Sequence, residues 1–128
     1  MILLDSSVLI DYSRGNPVLL QSLFRTSNYA VCGVVRAEVL AGSRSVMERG
    51  KYFRILNQLG QVSTPESLWD VVGDYAALLG SNGVTIPLSD VIIAAVAIAN
   101  DFELWTRDKH FNLIQPLLPA LKLFQEPP

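Results

Sequence analysis

Four carboxylates in this 128-residue chain occupy positions where a protein can do chemistry. Asp5 follows the apolar run Ile2-Leu3-Leu4, and Asp108 follows Phe102-Glu103-Leu104-Trp105-Thr106. Asp90 opens a long apolar stretch, and Glu38 is embedded in Val34-Val35-Arg36-Ala37-Glu38-Val39-Leu40-Ala41. Taken singly, each acid has an ordinary structural use: a helix N-cap, a dipole partner in a first turn, a turn residue, a solvated helix position. Taken together they are harder to dismiss, because carboxylates beside apolar residues or at the end of a central strand need compensation.

Physical chemistry limits what can compensate them. Two carboxylates 4 Å apart at an effective dielectric near 20 repel by roughly 4 kcal/mol, so four clustered acids either take up protons or hold cations. Oxygen-only ligands select hard ions, and magnesium or manganese leaves coordination positions open for phosphate oxygens. Such a site suits phosphodiester hydrolysis, where metals polarise the phosphate and lower the pKa of the attacking water. One cysteine, Cys32, and one histidine, His110, exclude an internal disulfide framework and a Cys/His zinc site. Asp5-Ser6-Ser7 lacks the Asp-x-Asp of haloacid dehalogenase phosphatases, and the chain carries neither a phosphate-binding Gly-x-x-x-x-Gly-Lys loop nor a Gly-x-Gly-x-x-Gly turn.

Short apolar strands alternating with helices must position these acids. Ile2 to Leu4 reads as a first strand, with a helix after Ser6-Ser7 that Gly15 stops. Asn16-Pro17 opens another helix through about Arg25, and Tyr29 to Cys32 is a second strand. Helices follow over Val34 to Ala41, closed by Gly42, and over Val46 to Leu59, with a third strand at Val62-Ser63. Thr64-Pro65-Glu66 opens the next helix, and Ser89 is the expected cap of Asp90 to Asn100, whose apolar residues on every side require burial. Phe102 to Thr106 and Leu121 to Phe124 complete the strands before a Pro127-Pro128 tail. Glu66, Asp70 and Asp74 share one helix face and read as solvated surface. The pattern specifies an α/β fold with a mostly parallel central sheet, in which ligands bind beyond the carboxyl ends of the strands where strand order reverses.

Against that background the chain resembles the PIN-domain ribonucleases, and within them the VapC-like toxins of toxin–antitoxin pairs. Ile2-Leu3-Leu4-Asp5-Ser6-Ser7 is similar to the family's opening strand, and Glu38-Val39-Leu40-Ala41-Gly42 to its glutamate helix. Asp90-Val91-Ile92-Ile93-Ala94-Ala95-Val96-Ala97 resembles Asp-x-x-Ile-Ala-Ala-x-Ala, and Thr106-Arg107-Asp108-Lys109-His110-Phe111 resembles Thr-x-Asp-x-x-Phe. The resemblance implies a three-layer sandwich in which Asp5, Glu38, Asp90 and Asp108 bind magnesium or manganese and carry catalysis. It implies endoribonuclease activity leaving a 5′-phosphate and a 3′-hydroxyl, a homodimer, and a small antitoxin that can place a basic side chain among the carboxylates. Ser7 and Thr106 are expected to hold the acids by hydrogen bonds. Many relatives carry an Asp where this chain has His110, which is expected to be a turn or surface residue. The alternative within the same fold is a catalytically idle module that binds protein or RNA.

Composition bounds this reading. The length suits one domain spanning residues 1–128, half the residues are hydrophobic, and only 17% are charged. No apolar run reaches the roughly 18 residues of a membrane span, and Asp5 interrupts the start too early for a signal peptide, so a cytoplasmic location is expected. The net charge of −2 argues little against an RNA substrate, since two bound divalent cations would reverse its sign. Arg36, Arg44, Arg49, Lys51 and Arg54 are clustered in sequence; Arg14, Arg36, Arg44, Arg107 and Lys109 are the candidate RNA-backbone contacts. The apolar surplus is expected on two stripes, Val18, Leu19, Leu20, Leu23 and Phe24, and Tyr52, Phe53, Ile55, Leu56 and Leu59, each with an edge left for a partner.

Overall fold

The computed structural model describes residues 1–15 and 28–126. The helix expected over residues 17–25, with its apolar stripe, and the Pro127-Pro128 tail lie outside the described residues. Five strands form the sheet: β1 (Ile2–Leu4), β2 (Tyr29–Cys32), β3 (Gly60–Val62), β4 (Glu103–Trp105) and β5 (Lys122–Leu123). All neighbouring pairs are parallel and the spatial order is β3-β2-β1-β4-β5. Strand order therefore reverses between β1 and β4, which opens a crevice at their carboxyl ends.

Every residue of β1 and β2 is buried, as expected for parallel strands covered on both faces. The helices that flank the sheet are α1 (Ser6–Ser13), α2 (Gly33–Ala41), α3 (Val46–Asn57), α4 (Leu68–Ser81), α5 (Leu88–Ala99) and the short α6 (His110–Ile114). Gly15 adopts a φ of 77° just beyond α1, a left-handed conformation that stops the helix and suits glycine. Helix α5 packs along α4 and also touches α2, α6 and β4. Its residues Val91, Ile93, Ala94, Ala95, Val96 and Ala97 are all buried, as its apolar circumference requires.

The core is continuous across the sheet. Leu3, Leu4, Val8 and Leu9 meet Ile93, Leu104 and Phe111 in one buried cluster. Each such large apolar side chain contributes about 1.5–3 kcal/mol relative to its exposed state. Trp105 lies between Tyr29 and Phe124, with ring centroids 6.0 and 4.9 Å away. Its indole N–H donates to Glu126 at 2.9 Å, so burial leaves no polar atom of that ring unmatched.

Two helix starts differ from expectation. Helix α4 begins at Leu68, after a turn at Glu66 and Ser67, and α5 begins at Leu88 with Pro87 at its N-cap position. Ser89 is thus already helical and does not cap α5. The second apolar stripe is largely consumed by the core: Tyr52, Leu56 and Leu59 are buried, while Phe53 alone is well exposed and lies under Arg36 and Arg49.

Candidate metal centre

The crevice between β1 and β4 holds the acids because the register of these strands places their ends side by side. Leu4 pairs with Trp105, and the Asp5 backbone N–H donates to the Trp105 carbonyl at 2.9 Å. Asp5 occupies the N-cap position of α1, yet its side chain makes no capping bond. Its Oδ2 instead accepts from Ser7 Oγ at 2.7 Å and from Thr106 Oγ1 at 2.8 Å. Both hydroxyls converge on one oxygen, and Asp5 is only 3% exposed. Among the described residues no hydrogen bond reaches Oδ1, which leaves that atom for a ligand.

The same two hydroxyls organise the neighbouring loop. Ser7 Oγ accepts from the Arg107 backbone N–H at 3.0 Å, and Thr106 Oγ1 accepts from the Asp108 backbone N–H at 2.9 Å. Ser7 and Thr106 therefore link Asp5 to the loop that carries Asp108.

Glu38 reaches the crevice from α2, and Asp90 from the first turn of α5. Burial first, and then the negative charges of Asp5, Asp90 and Asp108, hold the Glu38 carboxyl above the usual carboxylate range. The nearby Ser89 hydroxyl opposes this. Glu38 Oε1 is buried without a hydrogen-bond partner among the described residues. Asp90 is 6% exposed and is likewise pushed up, chiefly by burial and then by Asp5 and Asp108, against a hydrogen bond from His110. The charges of Asp5 and Asp108 thus raise the proton affinity of both Glu38 and Asp90.

His110 joins this cluster, where sequence reasoning expects only a turn or surface residue. As the first residue of α6, it places Nδ1 2.8 Å from Asp90 Oδ2 and 3.3 Å from Asp108 Oδ1. Its backbone N–H donates to Asp108 Oδ1 at 3.0 Å. His110 lies two residues beyond Asp108 in sequence, but that spacing alone does not point to Asp90.

The basic candidates divide by location. Arg107 is committed to carboxylates: Nε and Nη2 donate to Glu126 at 2.7 and 2.9 Å, and Nη1 to Asp11 at 3.2 Å. Neither Asp11 nor Glu126 stands out in the sequence as its partner. Lys109 is exposed beside Asp108. Arg14 and Arg44 both face Glu48, at 3.7 and 3.1 Å, and Arg36 donates to Asn57. Along the axis of α1, Arg14 lies about 13 Å from Asp5, so the Arg14 group is remote from the acids. The Glu66, Asp70 and Asp74 side chains are exposed and stand apart from the cluster, as expected of solvated surface.

A divalent cation fits the residues present. Buried acids raise one another's proton affinity, Glu38 Oε1 is buried without a partner among the described residues, and Asp90, Asp108 and His110 each offer an atom within 4.8 Å of the others. Oxygen donors dominate the set, as hard cations require.

Relatives agree with this architecture. The PIN domain family profile matches residues 2–115. The chain is 32% identical over 123 residues to Ribonuclease VapC10 of Mycobacterium tuberculosis, covering 93% of this chain and 92% of that protein. Its fold is similar to that of VapBC2 from Rickettsia felis, solved bound to a promoter DNA fragment, with a TM-score of 0.80, 24% identity, and coverage of 97% and 98% of the two chains. DNA-bound VapBC from Salmonella typhimurium gives a TM-score of 0.79 at 17% identity, covering 96% of each chain. This chain belongs to the PIN-domain family, with a VapC ribonuclease among its relatives.

Proposed function

We propose that this chain is a magnesium- or manganese-dependent endoribonuclease, a single-domain toxin of a toxin–antitoxin pair acting on RNA in the cytoplasm. The observation that carries the reading is the meeting of Asp90, Asp108 and His110, whose ligand atoms lie within 4.8 Å of one another, near the buried Asp5 and a Glu38 whose Oε1 is buried without a partner among the described residues. A protein that only docked a partner would have no use for four mutually repelling acids there. The kinship with Ribonuclease VapC10 supports RNA as substrate, and the likeness to VapBC complexes supports a small antitoxin partner.

Asp5, Asp90 and Asp108 would hold the cation, with Glu38 completing the set. When bound, the cation supplies a polarised phosphate and a water of lowered pKa for in-line attack. Ser7 and Thr106 fix the Asp5 carboxylate and leave Oδ1 to the site. Lys109 is the basic group next to Asp108 in sequence, while Arg14, Arg36 and Arg44 contact phosphates farther along the RNA. Arg107 joins them only if a phosphate displaces Glu126. The antitoxin is expected to carry a basic tail, because the described residues around the acids hold few counter-charges.

Asp108→Asn tests the reading. The amide preserves shape and removes a charge the cation needs, so RNA cleavage in magnesium or manganese should fall below detection while circular dichroism remains that of the wild type. Full cleavage by a folded, nuclease-free Asp108→Asn preparation would refute the assignment.

A further inference from the structure

His110 introduces a donor of a different kind at an oxygen-rich site. We propose that His110 is a nitrogen ligand of the cation held by Asp90 and Asp108, and that it biases this site toward manganese over magnesium. The inference rests on the reading of the crevice as a metal site and adds a ligand and an ion preference to it.

Geometry carries the argument. Cation–ligand bonds of about 2.1 Å place adjacent ligand atoms about 3.0 Å apart around an octahedron. His110 Nδ1 stands 2.8 Å from Asp90 Oδ2 and 3.3 Å from Asp108 Oδ1, which brackets that spacing. A nitrogen and a carboxylate oxygen approach to 2.8 Å only with a proton or a cation between them. A proton satisfies one acceptor well, whereas a cation serves all three ligand atoms together.

The imidazole is also held in place. Its backbone N–H is tied to Asp108 Oδ1, and Phe111, the next residue, is fully buried, so the start of α6 is anchored on both sides of the ring. Asp90 is buried on a helix packed into the core. The His110 side chain keeps 44% of its surface exposed, which leaves room for waters or a phosphate oxygen on the outer side. Imidazole nitrogen suits first-row transition ions, while magnesium takes oxygen almost exclusively. Replacing an oxygen donor with this nitrogen therefore moves the preference toward manganese.

The chain has a single histidine, so an imidazole signal from bound manganese has one possible source in untagged protein. Pulsed electron paramagnetic resonance on the full chain loaded with Mn2+ should show ¹⁴N modulation of imidazole type, absent in His110→Asp. Calorimetric titration with each ion should show the manganese-to-magnesium affinity ratio falling by about tenfold or more in His110→Asp, no less than loss of an outer-shell partner costs. If that variant misfolds by circular dichroism, His110→Gln replaces it. Mn2+ binding that Asp90→Asn abolishes, but without ¹⁴N modulation in the wild type, overturns the ligand assignment and leaves the acidic metal site standing. An unchanged affinity ratio in a folded variant overturns the ion preference. Failure of the wild type to bind Mn2+ at all removes both this inference and the metal site beneath it.

Discussion

Asp5 stands at the N-cap position of α1 and declines to cap it, because two hydroxyls from Ser7 and Thr106 turn its carboxylate toward the crevice. That choice places a buried charge next to Asp90 and Glu38, and the cost appears in their proton affinities. In metal-free protein both carboxyls are raised above their ordinary values of 3.8 and 4.5, chiefly by burial. His110 is raised above 6.5, chiefly by its hydrogen bond to Asp90. All three bind protons more tightly when folded, so their contribution to stability is complete below the unfolded pKa values and is lost as pH rises through the folded ones. The melting temperature of the metal-free protein should therefore rise as pH falls from about 8 to about 5.5, a window in which ordinary carboxylates stay ionised. Saturating magnesium should flatten the trend, because the cation takes over the role of the protons. A melting temperature that is constant or falls over that window without metal would show that the acids are not coupled as described. The four acids are legible from their places at strand ends and in apolar surroundings. His110 is not, because a single imidazole near a turn has no pattern of its own and its meaning comes from Asp90, twenty residues away in sequence.

At the scale of elements, apolar runs locate β1 and β2, which are buried on both faces, whereas the exposed β3 lies at Gly60–Val62 instead of the expected Val62-Ser63 because Gly60-Gln61-Val62 leaves no such run. The starts of α4 and α5 are less legible. Pro65 and Ser89 carry the chemistry of helix openings, but in the fold α4 begins at Leu68 and Pro87 takes the N-cap position of α5. A serine with capping chemistry does not by itself fix which residue takes the cap. Short α6 escapes notice because five residues give too little periodicity to read. Glycine punctuation is more faithful, and it yields a test. Gly15 has a φ of 77°, and a methyl group placed on its Cα would meet nothing within 4 Å, so Gly15→Ala should cost about 1 kcal/mol through backbone strain alone. Gly33 opens α2 with equally free space and no positive φ, so Gly33→Ala should gain about 0.4–1 kcal/mol. Urea denaturation should move the two midpoints in opposite directions. Equal midpoints for Gly15→Ala and wild type would mean that α1 does not depend on that left-handed turn.

The whole molecule carries more apolar surface than its described core consumes, and it carries it in unexpected places. Sequence patterning leaves an apolar edge on the α3 stripe, yet most of that stripe is buried. Instead Val46 and Met47 at the start of α3 are 90% and 84% exposed, and Leu88 at the start of α5 is 58% exposed. Patterning separates apolar from polar faces but does not say which apolar residues a neighbouring element will cover, so these outliers become visible only in three dimensions. Side chains this exposed on a chain of 50% hydrophobic composition are more easily understood as covered by a partner than as facing water. The resulting prediction is that the purified chain is a homodimer, with light scattering at tens of micromolar giving twice 14.1 kDa. Met47→Glu tests where the apolar surface is used. An acid in the first turn of α3 favours the helix dipole and fills no core space, so the protomer's fold should survive. If the start of α3 lies in the dimer seam, that variant should shift toward monomer at the same concentration while its circular dichroism stays unchanged. A Met47→Glu dimer as tight as the wild type would move the seam elsewhere, and a strictly monomeric wild type would refute the dimer itself.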